Sequence, residues 1–133
     1  MNTNENLINN YYKAFNEKNF ETMISYLSED VVHDINQGGR FTGKKEFVNF
    51  MEDMNKYYDE NLTNIKIMTH TNEGRAAAEF ICNGVYKTTC PGLPEAKGQK
   101  YTLPVGCFFE IKENKISRVT NYYNMNDWLK QVK

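Results

Sequence analysis

Apolar and polar positions fall into two regimes along this chain: helical spacing in the first half and alternation in the second. Leu7, Ile8, Tyr11, Tyr12 and Phe15 recur three and four residues apart, which places them on one stripe of a helix. Asn19 suits a helix start, because its side chain can accept from a backbone N–H that the first turn leaves unpaired. The short helix it would open carries Phe20, Met23, Ile24 and Leu27. Val31 to Asn36 is rich in β-branched residues and too short for a good helix, so it is predicted as a strand ending at Gln37-Gly38-Gly39. Thr42 is then expected to cap a third helix whose inner face is Phe47, Phe50, Met51, Met54 and Tyr58.

Beyond Asn61 the period changes to two. Ile65 to Thr71 alternates, Asn72-Glu73-Gly74 supplies a turn, and Arg75 to Thr89 forms a second arm, which together predict a hairpin. Cys90 to about Gly98, with two prolines and two glycines, suits neither helix nor ladder. Gln99 to Lys112 and Ile116 to Asn124 predict another hairpin around Glu113-Asn114-Lys115, and Met125 to Val132 a last helical segment bearing Trp128. Helices first and an antiparallel meander after them indicate an α+β fold in a single domain, residues 1–133. Gly84 and Gly106 inside long strands suggest a sheet that bends at glycines or bulges. Wrapped over helices, such a sheet leaves a concave space that side chains fill or a ligand occupies.

Composition narrows the function classes. Sixteen basic against seventeen acidic residues give a formal net charge of −1, with no electrostatic footprint for nucleic acid or an anionic membrane. No apolar run approaches the roughly 18 residues of a membrane span. The opening MNTNENLINN has neither the basic start nor the apolar core of a secretory leader, so the expected location is cytoplasmic. Cys82, Cys90 and Cys107 are widely spaced and only His33 and His70 offer imidazoles, so no metal site and no cofactor is expected. The thiols read as reduced, with Cys90 the most exposed.

The segments YYKAFNEKNFETMISYLSEDVVHD, GKKEFVNFM and ISRVTNYYNMNDW carry a resemblance. The chain resembles the ketosteroid isomerase and SnoaL-like families of the nuclear transport factor 2-like superfamily. The resemblance implies a cone: a curved, mixed, mainly antiparallel sheet wrapped on three helices of the N-terminal half, a central pocket, and a short C-terminal helical segment. It also implies a homodimer. Asp34 falls where ketosteroid isomerases carry their catalytic carboxylate, and Tyr11 where they carry an oxyanion-hole tyrosine. Their second oxyanion donor, a protonated aspartate, is matched by Gly106, which has no side chain; losing such a donor costs about 3 kcal/mol of transition-state stabilisation. SnoaL-like cyclases place an acidic base near the end of the last strand, where this chain has Asn121-Tyr122-Tyr123-Asn124.

By this resemblance Asp34 is the expected catalytic base and Tyr11 the donor to the developing enolate oxygen, in a cofactor-free isomerase, dehydratase or cyclase acting on a hydrophobic carbonyl compound. The bland reading of Asp34 is a partner for turn backbone or for Arg40. His33 lies on the opposite face of its strand, between Val31 and Ile35, and reads as a core histidine or a pocket residue. Arg40, Tyr58, Tyr101, Asn121, Tyr123 and Asn124 complete the polar candidates for the pocket wall or rim; Asn121 and Asn124 serve equally to cap the last helix. Two alternatives stand beside catalysis. The pocket holds an apolar small molecule without turning it over, or the cone is filled and the sheet face makes a dimer contact.

Overall fold

The computed structural model describes residues 2–70 and 72–133. In chain order the elements are α1 (Thr3–Asn16), α2 (Phe20–Ser25), β1 (Leu27–Ile35), β2 (Arg40–Thr42), α3 (Lys44–Tyr57), β3 (Tyr58–His70), β4 (Arg75–Tyr86), β5 (Gln99–Lys112), β6 (Lys115–Tyr123) and α4 (Met125–Val132). The strands form one six-stranded sheet in the order β2-β1-β6-β5-β4-β3, antiparallel except for the parallel β1–β6 pair. This is the expected α+β architecture, with three helices in the N-terminal half and a short one at the C-terminus.

Helix starts follow local chemistry. Asn19 accepts from the Thr22 N–H as expected, and Asn2 and Asn124 cap α1 and α4 in the same way. Thr42 does not cap α3. It pairs with Val32 in β2, and the cap position falls to Gly43, whose φ of 104° is open to glycine and strained for other residues. Leu27 leaves the helix expected for it, because pairing with Ile116 draws it into β1. The largest correction is at β3, which begins at Tyr58, well before Ile65. Asp59, Glu60 and Asn61 have low strand propensity, but pairing with Val85, Gly84 and Asn83 of β4 overrides it. The end expected at Thr71 lies outside the described residues.

Alternation then divides the sheet into two faces. Tyr58, Glu60 and Leu62 of β3, Phe80 and Cys82 of β4, Tyr101 and Leu103 of β5, and Asn121 and Tyr123 of β6 face the helices. The ladder irregularities fall at Leu27/Val32, Thr63/Lys66 and Glu110/Ile111, not at Gly84 or Gly106. Gly84 has a different reason to be small, given below. On the inner face the rings of Tyr11 and Tyr12 meet Phe109 edge-on at 5.9 and 6.0 Å, and Tyr12 meets Phe80 at 5.0 Å, which anchors α1 to the middle of the sheet. Gln131 donates to the Thr102 carbonyl and accepts from the Thr102 N–H, tying α4 to the start of β5.

Candidate active site

Helices and sheet do not meet everywhere. A cavity of about 430 Å³ remains between them, so the cone is not filled by its own side chains. That volume is within the usual range for small-molecule pockets. One wall is aromatic: Tyr58 stacks on Tyr86 at 5.5 Å, and Trp128 of α4 meets Tyr58, Tyr86 and Tyr101 edge-on at 5.9, 5.2 and 6.0 Å. Opposite, α3 contributes Phe47 and Phe50, whose rings flank His33 at 4.6 and 4.7 Å. A shallow surface depression along Tyr122–Asn126 shares Gln37, Tyr123 and Met125 with the cavity and so adjoins it.

The carboxylate in this cavity is Glu60. Tyr101 Oη donates to Glu60 Oε2 at 2.5 Å, at the short end of the range for O–H···O bonds. Burial pushes the Glu60 carboxyl above its ordinary range; hydrogen bonds from Tyr101 and Cys82 and the charge of Lys18 oppose the rise without cancelling it. The Tyr101 phenol is itself driven far up by burial and by the Glu60 charge, so it acts as a donor and does not ionise. Lys18, which also lines the cavity, donates to the Glu60 carbonyl and pairs with Asp59 at 3.2 Å, which holds the start of β3. Tyr58 and Tyr123 also line the cavity; burial raises both phenols, and the Glu60 charge adds to the rise.

His33 and Asp34 part company, as the strand period predicts. His33 is 2 % exposed and lines the cavity; burial lowers its pKa to about 4, against the opposing pull of Asp34. Asp34 lies on the other face, away from the cavity. Arg40 Nε donates to Asp34 Oδ1 at 2.6 Å and Arg40 Nη2 to Oδ2 at 3.0 Å, while Thr120 Oγ1 donates to Oδ2 at 2.9 Å. The hydrogen bond from Arg40 is the chief reason that the Asp34 carboxyl falls below its usual range. The expectation that Asp34 and Tyr11 converge in the pocket is therefore corrected. Register decides it, since Asp34 pairs with Arg40 on one side and Thr120 on the other, both on the outer face.

The remaining candidates divide. Tyr11, Tyr58, Tyr101, Asn121 and Tyr123 do line the cavity. Arg40 does not, being held by Asp34, and Asn124 caps α4 beside the shallow depression. Cys90 lines the cavity and is less buried than Cys82 and Cys107. No three of the described His, Cys, Asp and Glu side chains are grouped so as to hold a metal. Glu60 was missed because its strand was expected to start later. The signal was the inward parity of Tyr58-x-Glu60-x-Leu62, one carboxylate on an otherwise apolar line.

The SnoaL-like domain family matches residues 8–119 of this chain. The chain belongs to the SnoaL-like family. Solved structures agree with this placement. A protein of Pseudomonas putida KT2440 named a "putative polyketide cyclase" is 51 % identical, with each chain covered in full and a TM-score of 0.97. A second of that name, from Xanthomonas campestris pv. campestris, is 44 % identical over 98 % of this chain and 97 % of its own, with a TM-score of 0.95. A nuclear transport factor 2-like protein of unknown function from Burkholderia pseudomallei K96243 is only 13 % identical, covers 100 % of this chain and 99 % of its own, and shares the fold at a TM-score of 0.85. No curated protein matches. Among the described residues no helix is long and apolar enough to cross a membrane.

Proposed function

We propose that this SnoaL-like protein is a cofactor-free acid–base catalyst that moves a proton on a hydrophobic carbonyl compound, as an isomerase, dehydratase or cyclase, with Glu60 as the base. The observation that carries the reading is the 2.5 Å bond from Tyr101 to Glu60 inside an apolar, largely aromatic cavity. With Tyr101 held on Oε2, the Glu60 carboxylate takes a proton from the carbon next to the substrate carbonyl. That step makes the carboxylic acid and an enolate. The phenols of Tyr58 and Tyr123 are the donors available to the enolate oxygen, an interaction strengthened where water is excluded. Glu60 then returns the proton to another carbon, which isomerises the compound, or to a departing hydroxyl, which dehydrates it. Desolvation serves this chemistry, because a carboxylate with a raised pKa is the stronger base.

The reading is tested by deuterium uptake from D2O into 2-tetralone, followed by NMR. Wild type should accelerate exchange at the carbons beside the carbonyl, Glu60→Gln should abolish the acceleration, and Asp34→Asn should keep it. Loss in Asp34→Asn with retention in Glu60→Gln would overturn the assignment. Saturable binding of the ketone without any accelerated exchange would support the non-catalytic binder instead.

A homodimer is the second part of this proposal. Met68, Phe108 and Tyr122 are 53, 48 and 48 % exposed on the outer sheet face. Around them Arg40–Asp34, Arg118–Glu110 and Arg75–Glu110 alternate in sign, a pattern that a two-fold related copy can match. Light scattering should give twice the chain mass for wild type and the chain mass for Phe108→Asp.

A further inference from the structure

Charges inside proteins are normally paired, and Glu60 departs from that rule. Its carboxylate accepts from Tyr101 but forms no salt bridge with any described residue. Lys18 is the one lysine or arginine among the described residues that line the cavity, and its ammonium is committed to Asp59 and to the Glu60 backbone carbonyl. The Lys18 side chain is 43 % exposed, so water screens its charge. His33, with a pKa of about 4, is neutral near pH 7. The cavity therefore contains one carboxylate, Glu60, that no described side chain neutralises by direct contact.

The rings beside that charge have a definite arrangement. Tyr58, Tyr101 and Trp128 all line the cavity and stand nearly at right angles to one another, as the walls of a corner do. The interplanar angle is 90° for Tyr58–Tyr101, 86° for Tyr58–Trp128 and 76° for Tyr101–Trp128, with centroids 6.3, 5.9 and 6.0 Å apart. Tyr86 stacks on one face of Tyr58 and leaves the other to the cavity. Tyr101 bonds the Glu60 carboxylate, and Tyr58 and Tyr123 are close enough to feel its charge, so rings and carboxylate share one end of the cavity. An aromatic face carries the negative part of the ring quadrupole and attracts a cation within about 6 Å of its centroid. Rings and carboxylate thus favour the same sign of charge.

We propose that the cavity binds organic ammonium ions, with the cationic nitrogen beside Glu60 among the rings of Tyr58, Tyr101 and Trp128 and an apolar body in the rest of the space. The ion supplies the counter-charge that the chain itself does not place against Glu60. An inorganic cation does not fit, because no three of the described His, Cys, Asp and Glu side chains are grouped to hold one. A primary ammonium is strongly hydrated, and one carboxylate replaces little of that water. A quaternary ammonium sheds its hydration more readily and meets ring faces directly, which is how aromatic cages recognise it. The volume of about 430 Å³ leaves room for a body larger than the head group. This ligand class is independent of the proposed proton transfer and would compete with a carbonyl compound for the same space.

The test compares benzyltrimethylammonium with neopentylbenzene, which has the same shape with carbon in place of the charged nitrogen. The single tryptophan, Trp128, lines the cavity and reports occupancy by its fluorescence. Wild type at neutral pH should bind the ammonium roughly tenfold or more tightly than the neutral probe. Glu60→Gln should cut that preference at least about fivefold while holding neopentylbenzene within about twofold of wild type. Tyr58→Leu keeps the carboxylate and removes one ring face; it should cut the preference by about threefold, and is the independent variant if Glu60→Gln does not fold. Equal binding of the two probes by wild type, or an undiminished preference in Glu60→Gln or in Tyr58→Leu, overturns the proposal. A Glu60-dependent preference for the ammonium without accelerated exchange of 2-tetralone would leave this site intact and remove only the catalytic reading. Glu60-dependent exchange without the preference would do the reverse.

Discussion

The Tyr101 ring lies directly over Gly84, in the space that a side chain at residue 84 would occupy. Glu60, Gly84 and Tyr101 are register partners across β3, β4 and β5, so the tyrosine reaches past the glycine to bond the carboxylate two strands away. A Cβ on residue 84 would meet Tyr101 Cζ, Cε2 and Oη far inside van der Waals contact. Glycine here is a requirement of close approach, since its φ is not in the left-handed region.

Gly84→Ala should therefore dislodge Tyr101 and break its bond to Glu60. Overpacking of this kind costs about 1–3 kcal/mol of stability. Tyr101→Ala removes the obstacle, so the double variant should be less destabilised than the sum of the two single ones. Urea unfolding of the four proteins measures the coupling; strict additivity would show that the ring and the glycine do not share that space.

Glu60 predicts a dependence of stability on pH. Its folded pKa is raised, so the folded state binds a proton more readily than the unfolded one. Stability from this group is present below the unfolded glutamate value of about 4.3 and is lost as pH rises through the folded value. Glu60→Gln keeps an acceptor for Tyr101 and removes the charge. It should melt higher than wild type at neutral pH, and the gain should vanish on acidification below pH 4. Thermal melts of the two proteins across that range decide it.

Much of the cone was legible because its periods are local. The stripe of α1, the Asn19 cap, the β5–β6 hairpin and the limits of α4 depend on neighbours within one or two turns. The start of β3 was not, because Asp59, Glu60 and Asn61 become a strand only through their partners on β4. The site inherited that gap. Parity separated His33 from Asp34 correctly, but which face turns to the helices depends on the β1–β6 register, and resemblance pointed to the wrong one. The closure of Tyr101 over Gly84 joins residues far apart in sequence and leaves no local trace.

Asp34→Asn tests the outward assignment. Asp34 has a depressed carboxyl pKa, so its pairing with Arg40 contributes above the unfolded aspartate value and is lost as pH falls through the folded one. The pair is solvent-facing, and such pairs contribute little. Asp34→Asn should lower the melting temperature slightly at neutral pH, converge with wild type in acid, and leave binding of 2-acetylnaphthalene to the cavity unchanged within twofold. A large loss of that binding would place Asp34 at the site after all.

His33 should make the acid limb of the stability curve steeper. Its folded pKa of about 4 lies below the ordinary histidine value of about 6.5, so the unfolded chain takes up a proton that the folded chain refuses. Stability from this residue is full above the unfolded value and falls as pH drops from there toward the folded one. Two to three pKa units correspond to roughly 3 kcal/mol. His33→Gln cannot titrate and keeps a polar side chain between Phe47 and Phe50. It should therefore lose less stability than wild type between pH 6.5 and 4, measured by urea unfolding at each pH. Equal acid sensitivity of the two proteins would mean that His33 titrates normally, and its burial between Phe47 and Phe50 would fail with it.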